Sequence, residues 1–195
     1  MKKKGSITIL SAPSGTGKST ICNILKEKIP NLKLSVSHTS REPRKGEAEG
    51  VHYHFISKED FQARIEEEKF LEWVEIHDNY YGTSLESINK NRDAGISQIL
   101  ELDTQGVESL QKMNFEAVYI FLLPPSLKVL ERRLIKRGTE TKEKIRQRID
   151  EGKRELMKYP LYDYVVTNVE VDKTVSIIQS IIQAENYRTK HFLKQ

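Results

Sequence analysis

The stretch Ser11-Ala12-Pro13-Ser14-Gly15-Thr16-Gly17-Lys18-Ser19-Thr20 gathers two glycines, a lysine and adjacent hydroxyls at a spacing suited to holding a polyphosphate. The apolar run Ile7-Thr8-Ile9-Leu10 before it reads as a short buried strand, and Ile21, Ile24, Leu25 and Ile29 after it fall at helical spacing. A helix start leaves backbone N–H groups unpaired and carries positive dipole charge, so an anion is stabilised there. Gly15 and Gly17 let the backbone curl round a phosphate without Cβ clashes. Lys18 would set a point charge on the β/γ-phosphates, and Ser19 would offer its hydroxyl to Mg²⁺. Ala12 stands where the pattern G-x-x-x-x-G-K-[ST] has its first glycine, which weakens the match without breaking it. The competing reading is an ordinary Gly/Ser turn, but Gly-Lys-Ser-Thr at a strand-to-helix junction is hard to reach by chance.

Further polar points lie where such a loop would need partners. Glu101 and Asp103 close a hydrophobic run, and an acid at a strand end beside a phosphate loop can hold Mg²⁺ directly or through water. Arg41 and Arg44, three residues apart in a polar loop, suggest a second anion site, because arginine suits bidentate phosphate contact. Tyr53 and Tyr81 could donate hydroxyls to the same phosphate or simply pack. The run Lys128, Arg132, Arg133, Lys136, Arg137, Lys142, Lys144, Arg146, Arg148 reads first as a solvated helix face. Arg137, however, precedes Gly138 at a helix end, where a lid could hinge.

To position these groups the chain has 195 residues, 37% hydrophobic and 31% charged, enough for one domain with inserted lobes. No apolar run approaches the roughly 18 residues of a membrane helix, so no membrane is expected. Lys2-Lys3-Lys4 precedes too short an apolar run for a secretory signal. The single Cys22 excludes an internal disulfide and fits a reducing, cytoplasmic setting. The +4 charge suits nucleotides and other polyanions without indicating nucleic acid, and the five histidines lack metal-ligand spacing with cysteine.

Strand patterns at about 6–11, 32–37, 96–102, 117–123 and 164–167, separated by helices, imply a parallel α/β sheet. A helix at about 107–112 follows the third. Residues 38–90 break that rhythm with strands at 51–55 and 70–76 and one helix after Ser57, and read as an inserted antiparallel lobe. Residues 126–160 read as a helical pair.

Taken in order, Ser11–Thr20, Ser37-His38-Thr39-Ser40-Arg41-Glu42-Pro43-Arg44-Lys45-Gly46-Glu47, Tyr53-His54-Phe55, Phe70-Leu71-Glu72-Trp73, Tyr80-Tyr81-Gly82-Thr83, Leu102-Asp103-Thr104-Gln105-Gly106-Val107 and Arg137-Gly138-Thr139-Glu140-Thr141 resemble the guanylate kinase family over nearly the whole chain. The resemblance implies a P-loop three-layer α/β core with a parallel sheet (about 1–36, 91–125 and 161–195), an inserted small antiparallel α+β lobe for GMP (about 37–90) and a helical lid (about 126–160). It implies the reaction ATP + GMP = ADP + GDP with Mg²⁺, between small-molecule nucleotides. Ala12, Pro13, Ser14, Gly15, Thr16, Gly17, Lys18, Ser19, Thr20 and Asn168 would meet ATP, with Asn168 near the adenine. The GMP phosphate would be held by Arg41, Arg44, Tyr53 and Tyr81, and the guanine read by Ser37, Glu72, Thr83 and Asp103. Lys18, Arg41, Arg137 and Arg148 would be catalytic, with Ser19 and Glu101 at the metal. Glu101 stands where the family frequently has aspartate.

Guanine chemistry agrees with that assignment. Its N1–H and N2–H₂ donors suit the carboxylates of Glu72 and Asp103, and its O6 suits the hydroxyls of Ser37 and Thr83. Adenine would leave buried carboxylates unpaired. Two other classes compete: a guanylate-kinase-like scaffold that binds protein without catalysis, and a P-loop ATPase acting on nucleic acid. The intact Gly17-Lys18-Ser19 argues against the first, and the lack of an aromatic-interleaved basic stripe against the second.

Overall fold

The structure, a computed structural model, describes residues 4–76, 78–136 and 142–188, without the side chains of 136 and 142–144. The elements run β1 (Ile7–Ser11), α1 (Lys18–Lys28), β2 (Leu32–Leu34), β3 (His38–Thr39), β4 (His54–Phe55), α2 (Lys58–Glu66), β5 (Phe70–Ile76), β6 (Asn79–Ser84), α3 (Leu85–Asp93), β7 (Ser97–Leu102), α4 (Thr104–Lys112), β8 (Val118–Leu123), α5 (Leu127–Lys136), α6 (Lys142–Leu156), β9 (Tyr164–Thr167) and α7 (Val171–Glu185).

β2-β7-β1-β8-β9 form one parallel sheet in that order. Its central strands are near-continuous apolar runs because both faces are covered. Alternation sends Ile7 and Ile9 to a cluster with Ile88, Leu100, Val107 and Leu110 of β7 and the helices α3 and α4. The opposite face places Leu10 with Ile21, Leu25, Ile120 and Ile178 under α1 and α7. Helix, sheet and helix make the three expected layers. Cys22 is fully buried in the second cluster, as a small core residue.

The interruption at 38–90 is a second sheet, ordered β4-β3-β6-β5. It is mixed where an antiparallel lobe is expected from sequence. β3/β6 and β6/β5 are antiparallel, but β3 and β4 run parallel, because the long loop through residues 40–53 crosses back to the end at which β3 began. Phe61 of α2 is fully buried there, its ring 4.3 Å from Phe70 and 5.3 Å from Tyr80. The β5/β6 register shifts between Phe70 and Glu72. A bulge re-aims side chains, and here the consecutive Leu71 and Glu72 are both buried, which strict alternation would forbid. Leu71 joins the first sheet's core, so this bulge docks one sheet unit on the other.

Several boundaries differ from the sequence pattern. The second strand stops at Leu34, and the pattern at 51–55 contributes only His54 and Phe55 to the sheet. α4 begins at Thr104, three residues early, because Asp103 caps it. No helix among the described residues is long and apolar enough to cross a membrane.

Candidate active site

β1 delivers the chain into the glycine loop at the carboxyl edge of the parallel sheet, where ligands of such folds bind. Gly15 and Gly17 have φ of +86° and +103°, the left-handed region that glycine enters without strain. Gly17 is the residue before α1, and no side chain caps that helix, so its first N–H groups are left for an anion. The loop's outward curl is secured from behind. The Thr16 carbonyl accepts from Asn168 Nδ2 at 2.8 Å and from Arg133 Nη1 at 2.9 Å. Asn168 is itself buried and its Oδ1 accepts from Thr174 Oγ1 at 3.1 Å. Arg148 Nη1 donates to Ser14 Oγ at 3.1 Å, and a Cβ on Gly152 would lie 3.7 Å from Pro13 Cβ, so α6 runs along the loop. Ala12 and Pro13 are buried, Thr20 exposed.

At the loop's exit Lys18 Nζ donates to the Leu102 carbonyl at 2.8 Å, and Ser19 Oγ donates to Glu101 Oε2 at 2.8 Å. The end of β7 thus meets the start of α1. A serine hydroxyl and a carboxylate side by side are hard oxygen donors of the kind Mg²⁺ takes while keeping waters and substrate phosphates. Among the described residues no three His, Cys, Asp or Glu come together as a metal cage.

Across from the loop, Arg41 is held by a carboxylate that the sequence pattern did not single out. Its Nη1 and Nη2 each lie 3.0 Å from a Glu47 oxygen, and Nη1 also donates to the Glu42 carbonyl at 2.6 Å. The guanidinium lies 5.4 Å from the Tyr53 ring centroid and 6.0 Å from that of Phe55. Burial works against its charge, but Glu47 and Tyr81 outweigh that and raise its pKa. Glu47 Oε2 also accepts the Arg44 N–H at 2.8 Å, while the Arg44 side chain is exposed. Tyr53 and Tyr81 meet edge to face at 6.0 Å. Burial raises the Tyr53 pKa, helped by Tyr81 and by Glu101 of the parallel sheet.

Glu72, Thr83 and Asp103 converge as expected. Thr83 Oγ1 donates to Glu72 Oε1 at 2.6 Å, so the proton expected for guanine O6 is committed to Glu72 here. Asp103 Oδ1 accepts the Gly106 N–H at 2.8 Å. Burial pushes the Glu72 pKa up to about 7; the Thr83 hydroxyl opposes this, and Asp103 adds to it. Gly106 lets the two carboxylates close in: a Cβ there would sit 2.9 Å from Glu72 Oε2 and 3.5 Å from Asp103 Oδ1. Ser37 is half-buried, and its carbonyl accepts the His54 N–H at 2.8 Å. Burial likewise raises Glu155 of α6 to about 7, where the charges of Lys18 and Asp103 both reach it.

The structure therefore brings together the loop, Glu101, Asp103, Glu72, Thr83 and Arg148, and sets Arg41, Tyr53 and Tyr81 opposite. Asn168, expected near an adenine, is seen beneath the loop as its anchor. Arg137 lies outside the described residues. Arg133, Glu47, Gly106 and Glu155 were missed as site residues. Arg133 stands in the basic run of the sequence, but nothing local separates it from Arg132.

The model of the family described as guanylate kinase matches residues 4–185. A guanylate kinase of Caldanaerobacter subterraneus is 46% identical over 188 residues, 96% of this chain and 91% of its own length. One of Halalkalibacterium halodurans is 43% identical over 100% of this chain and 95% of its own. A crystal structure of guanylate kinase from Anaplasma phagocytophilum superposes with a TM-score of 0.80 at 33% identity, covering 96% of this chain and 89% of that one.

Proposed function

The chain belongs to the guanylate kinase family, and from that premise we propose how its residues share the work of phosphorylating GMP to GDP with ATP. The observation that carries the reading is the Glu72–Thr83–Asp103 constellation, built on a bulge and a helix cap beside the phosphate loop. ATP takes the loop of residues 12–20, with Asn168 holding that loop beneath it. Lys18 leaves the Leu102 carbonyl for the β/γ-phosphates. Ser19 and Glu101 hold Mg²⁺, which when bound supplies charge neutralisation at the transferring phosphoryl group.

The segment at about 37–90 is the acceptor lobe on this reading, the helical pair at about 126–160 the lid, and the remainder the core. Arg41, Arg44, Tyr53 and Tyr81 hold the GMP phosphate. Glu72 and Asp103 accept from guanine N1–H and N2–H₂, with Ser37 and Thr83 at O6; Thr83 must turn from Glu72 to serve there. The lid brings Arg137 and Arg148 over the phosphates and excludes water. Transfer is in line from ATP to the GMP phosphate oxygen, so catalysis is positioning and charge neutralisation without a covalent intermediate. A cytoplasmic setting belongs to this reading, supported by the single buried cysteine.

The test is a panel of nucleoside monophosphates assayed with ATP and Mg²⁺. GMP is expected to be the preferred acceptor. Preference for AMP would overturn the roles of Glu72 and Asp103.

A further inference from the structure

We propose that Glu47 is a positioning residue for the acceptor phosphate, holding Arg41 by one edge so that its other edge is presented to the substrate. This rests on the reading of Arg41 as a GMP-phosphate ligand. A guanidinium offers two donor forks: the two Nη groups at its end, and Nε with one Nη along its side. Glu47 takes the end fork with both oxygens at 3.0 Å. The Glu42 carbonyl takes another Nη1 proton. What remains is the side edge, where the Tyr81 side chain also meets the guanidinium, and there Nε is buried without a hydrogen-bond partner. A buried, unsatisfied donor on a charged group is costly, so the arrangement is complete only when an acceptor such as a phosphate oxygen arrives.

The same carboxylate also fixes the second arginine of the loop. Glu47 Oε2 takes the Arg44 backbone N–H at 2.8 Å, which sets where the Arg44 side chain leaves the chain. Both side chains of the ion pair are mostly shielded, at 13% and 18% exposure, so solvent screens it less than a surface pair. The Arg41–Glu47 pair is not a neutral lock. Its partner edge is already spent on Glu47, and the phosphate can bind without breaking it. The alternative is that Glu47 competes with phosphate for Arg41, and it predicts the opposite sign on mutation.

The experiment compares wild type, Glu47→Gln and Glu47→Ala, with thermal melting to establish folding. Glu47→Gln keeps the shape and one carbonyl acceptor, so it serves where Glu47→Ala does not fold. Steady-state kinetics are read with GMP and ATP varied in turn, together with inhibition by guanosine, which lacks the phosphate. The KM for GMP is expected to rise about 10- to 100-fold in Glu47→Ala, and less in Glu47→Gln, the range expected from losing charged hydrogen bonds. The KM for ATP and the guanosine inhibition constant should stay within about twofold, which a general loosening of the loop would not allow. Equal weakening of GMP and guanosine, an unchanged KM for GMP, or a lowered one would each overturn the proposal. Wild type without GMP turnover or GMP binding would instead sink the functional reading on which it rests.

Discussion

In the glycine loop, positive potential comes from backbone N–H groups and a helix start, and the Thr16 carbonyl is held by buried Asn168 and by Arg133. In the arginine loop and the β5–β6 pair, the field comes from side-chain charges set by one another: Arg41 is paired with Glu47, and Glu72 is opposed by Asp103. Backbone donors do not titrate and cannot be removed by one substitution. The backbone part of the donor cradle should therefore be insensitive to pH, with Lys18 its most sensitive side chain, and the acceptor side should be tunable by both pH and packing.

The largest effect that would break this contrast is at Lys18. Lys18→Ala should leave folding intact, since the side chain only borrows the Leu102 carbonyl, while kcat falls by about 10³-fold or more. A variant within tenfold of wild type would mean that the backbone cradle suffices, and that the lysine role is wrong.

Gly106→Ala comes next and acts on the other side. In a helix interior this exchange usually stabilises by about 1 kcal/mol. Here the new Cβ would sit 2.9 Å from Glu72 Oε2, the end of a flexible side chain that can yield. The fold should therefore survive with unchanged or higher Tm, while the displaced carboxylate raises the KM for GMP by about tenfold. The KM for ATP should not follow. Equal changes for both nucleotides would show that the two sides are not separable.

The pH dependence follows from Glu72. A carboxyl whose folded pKa is raised to about 7 holds its proton longer in the folded than in the unfolded chain. Its contribution to stability is thus intact below the unfolded value near 4.5 and is lost as pH rises toward 7. Guanine N–H donors want the ionised form, so the KM for GMP should fall by about tenfold between pH 6 and 8, while that for ATP changes little. Thr83→Val removes a hydrogen bond that favours the ionised form and should move this transition to higher pH. A GMP profile flat across that interval would remove Glu72 from base reading.

These contrasts also explain what could be read beforehand. The phosphate loop is legible because its chemistry is local: strand, glycines, lysine and helix all lie between residues 7 and 28. The parallel order of the first sheet follows from strand-helix alternation. The bulge at Phe70–Glu72 was not legible, because a register shift depends on the partner strand, not on the run Phe70-Leu71-Glu72 itself. Asp103 was read for its carboxylate and not as a helix cap, since Gly106 in the first turn hides the helical pattern. The Arg133 bond to Thr16 spans the chain and leaves no spacing to find. Glu47 lies inside the motif Ser37–Glu47, but only the fold shows that its two oxygens face Arg41.

The smallest expected effect concerns the one departure inside the loop. Ala12 is not among the residues with positive φ, so the backbone there makes no demand for glycine. Its methyl group is buried in the cluster with Leu10, Ile21 and Ile120, facing the core and not the phosphate side. Restoring the pattern by Ala12→Gly would then remove a packed methyl and add backbone freedom to the unfolded chain. Stability should drop by about 0.5–1 kcal/mol, read as a Tm lower by roughly 1–4 °C, with kcat and both KM values within twofold. A gain in ATP affinity would mean that the Cβ does narrow the cradle, and that the loop tolerates alanine at a functional cost.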